Sequence, residues 1–291
     1  MAQFGPPTRP LKILMLHGYT QSGPLFRSKT RALEKNLQKA FPAGVTLSYP
    51  TAPIHLARAD LTFEAATAVV DPANKTDGED EEPDAWGWWR RKGDAEPYTY
   101  EGIERGLAGV AEVLKAEGPF DGVIGFSQGG ALAGMLASLL EPGRREAFEA
   151  AQPKGGMRFP ESFEEDTGFV TDVVHPPLKF AVSYSGFGAS TNKLYQAFYE
   201  PKINTPMMHF IGSVDTVVEE ARSLRLVNAC ESASRGDWTV YHPGGHFLPS
   251  SQRQYVGALV NFIQEVTTGA EGFGSKKGKV KESAEDMDLP F

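Results

Sequence analysis

Across residues 121–140 the chain passes from a strand-length apolar run, DGVIGF, through a glycine-flanked serine into a longer run, GGALAGMLASLL. Neither run alternates polar with apolar residues, so neither suits a surface. A strand of that kind is buried on both faces of a sheet, and a helix apolar all round must be covered on every side. A parallel sheet sandwiched between helices meets both demands.

The same alternation recurs along the chain. Residues 11–16 (LKILML) read as a buried strand ended by His17-Gly18, and residues 25–41 as an amphipathic helix ended by Pro42 and Gly44. Residues 45–49 form a second strand, closed by Pro50 and Pro53. The helix expected over 100–117 carries Ile103, Leu107, Val110, Val113 and Leu114 on one face; 121–126 is a strand and 131–140 a helix. Further strands are expected at 178–184, 207–211 and 238–241, with helices at 219–234 and 255–266. The sum is an α/β fold, doubly wound, with a mostly parallel sheet of about six strands and helices on both faces.

Residues 1–268 are expected to form one domain and 269–291 a flexible polar tail. Within the domain, residues 71–84 (DPANKTDGEDEEPD) set seven acids against Lys75; such a run repels itself and reads as a solvated loop, with a basic partner as the alternative. Residues 141–177 are a long Pro- and acid-rich insertion, the composition of a lid, a binding loop or disorder. Lys276, Lys277, Lys279 and Lys281 read as solvated tail lysines, with a nuclear address as the alternative.

Composition narrows the chemistry. A net charge of −8 argues against nucleic acid as a partner, and a single cysteine, Cys230, excludes a disulfide framework and Cys/His zinc modules. No metal or cofactor is expected. The N-terminus, MAQFGPPTRP, lacks the apolar core of a signal peptide, and the apolar stretch 129–140 is shorter than the ~20 residues of a membrane-spanning helix. A soluble cytoplasmic protein without a membrane partner is the expectation, the tail lysines leaving the nucleus open.

Gly125-Phe126-Ser127-Gln128-Gly129 has the form G-x-S-x-G between strand and helix. Such a turn holds its serine in a strained conformation at the C-terminal edge of the sheet. The bland alternative is a tight turn with Ser127 as helix N-cap. A serine hydroxyl needs a base to take its proton and an acid to orient that base, in the chain order serine, acid, histidine for the α/β-hydrolase arrangement. Asp215 follows the strand at 207–211, and His246 follows Gly244-Gly245 after the last strand. Loops after parallel strands gather at one edge, so Ser127, Asp215 and His246 are placed to meet.

His242 is the rival base, and Asp237 and Asp172 are the rival acids; loop position favours His246 and Asp215. The backbone N–H groups of Gln128 and of Tyr19, in the turn after the first strand, are the expected oxyanion donors. Trp86, Phe126, Phe187 and Phe247 are candidate substrate-binding residues, with Tyr19, Trp88 and Trp89 beside them and core packing as the competing role for the tryptophans. His55, His175 and His209 fit no metal-ligand spacing, and Cys230 reads as a buried filler on a helix.

LHGYTQSG (residues 16–23), WGWWR (86–90), GFSQGG (125–130), SYSGF (183–187) and PGGH (243–246), in this order, resemble the fungal FSH family of serine hydrolases, related to the ovarian-cancer-associated esterase. The likeness covers about residues 10 to 266, leaving out the acidic loop, much of the insertion and the tail. It implies an α/β-hydrolase of esterase or thioesterase type with Ser127 as nucleophile, Asp215 as acid and His246 as base. Some members release polyketide chains from a synthase in secondary metabolism. The expected function is a serine hydrolase cleaving carboxylic esters or thioesters through an acyl-enzyme on Ser127, its substrate a small-molecule ester, an acyl thioester or a carrier-protein-bound acyl chain. Cleavage of an amide or a carbon–carbon bond uses the same groups. The alternative from another class is a non-catalytic binding or interaction module on the same fold.

Overall fold

Six strands make one fully parallel sheet: β1 (Leu11–Leu16), β2 (Val45–Ser48), β3 (Gly122–Phe126), β4 (Phe180–Tyr184), β5 (Met207–Gly212) and β6 (Thr239–His242). Their spatial order is β2-β1-β3-β4-β5-β6. The chain steps from β1 outward to β2, then fills the other side from β3 onward, so the order reverses at β1. In open sheets of this kind ligands bind in the crevice at that reversal, beyond the strand C-termini. This computed structural model describes residues 9–60, 82–166 and 171–268; most of the acidic segment, 71–81, and the tail, 269–291, lie outside them.

Successive strand residues divide between two cores, as the pleat requires. Ile13, Met15, Ile124 and Phe180 face α1 (Gly23–Lys29), α2 (Arg31–Ala40) and α7 (Arg253–Thr268). Leu14, Leu16, Val123 and Ala181 face α3 (Ile103–Glu117), α4 (Gln128–Leu139), α5 (Arg144–Ala151) and α6 (Glu220–Asn228). Helix α3 buries Ile103, Leu107, Val110 and Leu114 at helical spacing and ends at Gly118, just before Pro119. Every residue of α4 is buried, as its all-round apolar sequence requires.

Two helices differ from expectation. The helix expected over 25–41 breaks at Thr30, whose Oγ1 donates to the Phe26 carbonyl (2.8 Å) and shares a hydrogen bond with the Tyr49 hydroxyl (3.0 Å). The helix expected to reach Ser234 ends at Asn228, because the backbone beyond it pairs with Ile203: Ile203 N donates to Ala229 O (2.8 Å) and Glu231 N to Ile203 O (2.9 Å). Cys230 is therefore extended rather than helical, though fully buried.

The described residues of the 141–177 insertion are built into the fold rather than left as an open loop. The insertion contributes α5 and a hairpin, Glu164–Asp166 with Thr171–Val173, and it buries Phe148, Phe159 and Phe163. At its root the buried Glu141 pairs with Arg144 at 2.8 Å and accepts from Asn204 N and Thr205 N, while Arg144 donates to the carbonyls of Ala197 and Pro201.

Candidate active site

Ser127 joins β3 to α4 with φ 53° and ψ −116°, a conformation that residues with a side chain rarely adopt. The junction is tight because only hydrogen fits at its glycines. A Cβ on Gly125 would lie 2.0 Å from the Gly129 carbonyl oxygen, and one on Gly129 would lie 2.1 Å from that of Leu16. The Ser127 hydroxyl caps no helix amide, so the N-cap role weighed above is not the one it plays.

That hydroxyl meets His246 instead. Ser127 Oγ lies 2.9 Å from His246 Nε2, and His246 Nδ1 lies 2.8 Å from Asp215 Oδ2. Asp215 is carried just beyond the end of β5, and Gly244-Gly245 bring His246 back over the serine. The other carboxylate oxygen, Oδ1, accepts from the amides of Val217 and Val218, both at 2.9 Å. Burial pushes the Asp215 carboxyl up. Hydrogen bonds from His246 and the Val218 and Val217 amides outweigh burial and hold it below the usual carboxylate range. Asp215 is thus an anion at neutral pH; it draws Nδ1–H toward itself and leaves Nε2 to accept from the serine.

The rivals sit elsewhere. His242 is buried, with Nδ1 accepting from Gly244 N (3.3 Å) and its ring 4.8 Å from that of Phe247. Asp237 precedes β6 and pairs with Arg235 at 3.5 Å. Asp172 stands in the 164–173 hairpin, opposite Glu165. Three further histidines serve the fold. His55 joins a two-residue ribbon with Trp86; His175 accepts from Phe120 N (2.7 Å); His209 is buried beside Cys230, Nε2 to Sγ 3.8 Å.

Leu16 lies opposite Gly125 across the β1–β3 pair, so the turn carrying Tyr19 abuts Ser127; a Cβ on Gly18 would stand 3.3 Å from Ser127 Cβ. His17 pins this turn. Its Nδ1–H donates to Gly18 O (2.8 Å), its Nε2 accepts from Ala52 N (2.9 Å), and Trp88 Nε1 donates to its carbonyl (3.0 Å). Complete burial lowers the His17 pKa to about 4, so the ring is neutral, as a group that must both donate and accept requires. The Gln128 carboxamide clamps the tryptophan segment, accepting from Trp88 N (2.8 Å) and donating to Trp89 O (2.9 Å). Neither this clamp nor the two valine amides on Asp215 is legible in the motifs, where the positions concerned are unspecified.

The aromatic candidates divide. Phe126 packs its ring 5.0 Å from that of His246, and Phe247, next to His246, is 41% exposed. The Trp86 carbonyl accepts from Thr20 N (2.9 Å), which places it beside the Tyr19 turn. Phe187 lies farther along the wall, against Trp89 and Tyr100 and under the Arg222 guanidinium. Trp88 and Trp89 are buried to 1% exposure and serve packing. Among the described residues no group of His, Cys, Asp and Glu is arranged to hold a metal ion, and no helix is long and apolar enough to cross a membrane. A hydroxyl, an imidazole and a carboxylate in one hydrogen-bonded chain, between two backbone turns, are equipped to attack an acyl carbonyl.

Comparison with known proteins bears on the same residues. The chain is 31% identical over 278 residues to Family of serine hydrolases 3 of Saccharomyces cerevisiae, covering 95% of this chain and 90% of that one. It is 33% identical over 255 residues to Esterase OVCA2 of Danio rerio, covering 84% and 94%. A protein named dihydrofolate reductase from Schizosaccharomyces pombe is 33% identical over 270 residues, but the match spans 90% of this chain and only 48% of that protein. Among solved structures, Zea mays acyl-protein thioesterase 2 superposes with a TM-score of 0.52 at 18% identity, covering 88% of this chain and 95% of that one. That likeness identifies the α/β-hydrolase fold. The profile of the Serine hydrolase (FSH1) family matches residues 7–257, a span that holds β1 to β6 and the whole hydrogen-bonded chain from Ser127 to Asp215, and the protein belongs to that family of serine hydrolases.

Proposed function

We propose that this serine hydrolase cleaves carboxylic esters and thioesters through an acyl-enzyme on Ser127. The observation that carries the reading is the continuous hydrogen-bonded chain from Ser127 Oγ through His246 to Asp215. As Oγ attacks the acyl carbonyl, His246 Nε2 takes its proton, and the buried Asp215 carboxylate stabilises the imidazolium. The carbonyl oxygen becomes an anion facing the N–H groups of Tyr19 and Gln128. Collapse of the adduct expels the alcohol or thiol, which takes the proton from His246. Water then attacks the acyl-enzyme, giving its proton to the same nitrogen and releasing the carboxylic acid and a free Ser127. This cycle uses side chains and backbone alone.

The ester arm is supported by relatives that carry the name esterase. The thioester arm rests on chemistry, since a thiolate leaves an acyl adduct more readily than an alkoxide. Trp86, Phe126, Phe187 and Phe247 are assigned to the acyl chain, the first two and the last being nearest the Tyr19 turn and His246. The narrower reading, release of a polyketide or other acyl chain from a carrier protein in secondary metabolism, rests on the motif resemblance.

The test is intact-mass labelling with a fluorophosphonate, parent against Ser127→Ala, followed by a panel of acyl esters, acyl-coenzyme A thioesters and acyl-carrier thioesters. One adduct on the parent that is absent from the variant is expected. No adduct on a folded parent overturns the reading in favour of a binding module, and turnover of esters alone removes the thioester and carrier arms.

A further inference from the structure

We propose that the groove beside α1, α2 and the end of β2 docks an acidic amphipathic helix of a partner protein. This inference is independent of the catalytic reading. The groove encloses ≈ 1310 Å³; Arg27, Arg31, Lys35 and Lys39 line its wall, and Leu47 and Tyr49 give it apolar surface. Arg31, Lys35 and Lys39 recur at every fourth residue along α2, with Arg27 on α1 across the break at Thr30, and all four are exposed, so α2 carries a stripe of positive charge on a chain whose net charge is −8.

The spacing selects the partner. Four residues rise about 6 Å along a helix, so carboxylates at i, i+4 and i+8 of a facing helix repeat at the interval of the stripe. Cations four apart on a helix repel one another. Among the described residues the ion pair in this groove is Arg27 with Glu34, at 3.8 Å; Arg31, Lys35 and Lys39 make none. An acidic helix relieves that repulsion, and its apolar flank meets Leu47 and Tyr49. The side of the sheet is open to it, since β2 is an edge strand.

Nucleic acid and anionic membrane fit less well. The net charge of −8 repels an extended polyanion beyond the groove, whereas a short helix presents its charge to the stripe alone within a screening distance of about 8 Å.

Fluorescence anisotropy on the full chain tests the proposal with three labelled probes. One is a helical peptide with glutamates at i, i+4 and i+8 beside a leucine flank; the second has the same composition with the glutamates shuffled; the third is a single-stranded oligonucleotide. Sedimentation with phosphatidylserine vesicles is run in parallel. The patterned peptide is expected to bind the parent, less tightly as salt rises, and about tenfold more weakly to the R31E/K35E/K39E variant. Lys35→Gln with Lys39→Gln, which keeps helix propensity, is expected to lose proportionately less, and both variants to retain the parent's melting temperature and ester turnover. No binding by the parent, equal binding by parent and triple variant, equal binding of the shuffled peptide, or preference for oligonucleotide or vesicles each overturns the proposal.

Discussion

Asp215 keeps a charge at a position whose side chain is 2% exposed because three donors hold it: His246 Nδ1 and the amides of Val217 and Val218. An asparagine there has similar volume but presents N–H where Oδ2 accepted. The imidazole then turns to its other tautomer, Nε2 carries the hydrogen, and the proton of Ser127 has no acceptor. Asp215→Asn is therefore expected to lower kcat on the order of 10³–10⁴-fold with little change in KM. Steady-state rates on an ester substrate check this, and a loss below tenfold would mean that another group orients His246. Gln128→Ala is a contrasting case, since it keeps the backbone N–H and removes two buried hydrogen bonds to the tryptophan segment. It should cost about 2–3 kcal/mol in urea unfolding and far less in kcat than Asp215→Asn. The three residues of the hydrogen-bonded chain were legible because each follows a strand by a few residues, which is local information. The Gln128 clamp was not, because its partner Trp88 lies 40 residues away in sequence.

Elements were legible where one periodicity ran unbroken, as in β3 with α4 or along α3. They were misread where a distant group diverts the backbone: Tyr49 at the Thr30 break, Ile203 at the end of α6, and residues 197–205 around Glu141 and Arg144. No local pattern carries those contacts, and in the insertion Pro153, Gly155, Gly156 and Pro160 interrupt the chain between the buried Phe148 and Phe163, so no single periodicity runs through it. The α4–β1 approach, by contrast, is written in Gly129. A methyl group there would meet the Leu16 carbonyl oxygen at 2.1 Å, and backbone cannot yield as a side-chain tip does. Gly129→Ala is expected to cost at least the ~3 kcal/mol at the upper end of core overpacking and to shift α4, and Ser127 with it. Gly236→Ala is the control, since nothing lies within 4 Å of its would-be Cβ; it should stay within about 0.5 kcal/mol of the parent. Thermal melting and the fluorophosphonate labelling rate, read together, separate the two outcomes: equal losses in both variants would show that the close approach at Leu16 is not what limits α4.

Across the whole molecule, burial sets how stability answers to acid. It lowers the pKa of His17 to about 4 and of His209 to about 3, and it lowers His175 and His242 as well. Each is held neutral in the fold but titrates near 6.5 once unfolded. As pH falls below 6.5 the unfolded chain therefore binds protons that the folded chain refuses. The stability these groups contribute is present above that pH and is lost toward their folded values. Asp215 and Asp121 add to the loss at lower pH: burial pushes both carboxyls up, but their hydrogen bonds outweigh it and hold them below the usual range, so unfolding favours their protonation too. Near pH 5, His17 and His209 alone account for nearly two protons, a slope of roughly 2–3 kcal/mol per pH unit. Against a typical total of about 5–15 kcal/mol, even one pH unit at that slope removes a sizeable share of the stability. Urea unfolding at pH 5.5, 5 and 4.5 measures the slope where both imidazoles are protonated in the unfolded chain. A slope of one proton or less, on the order of 1 kcal/mol per unit, would mean that at least one of these two rings is charged inside the fold; if that ring is His17, the hydrogen bond by which its Nε2 accepts from Ala52 would have to be redrawn.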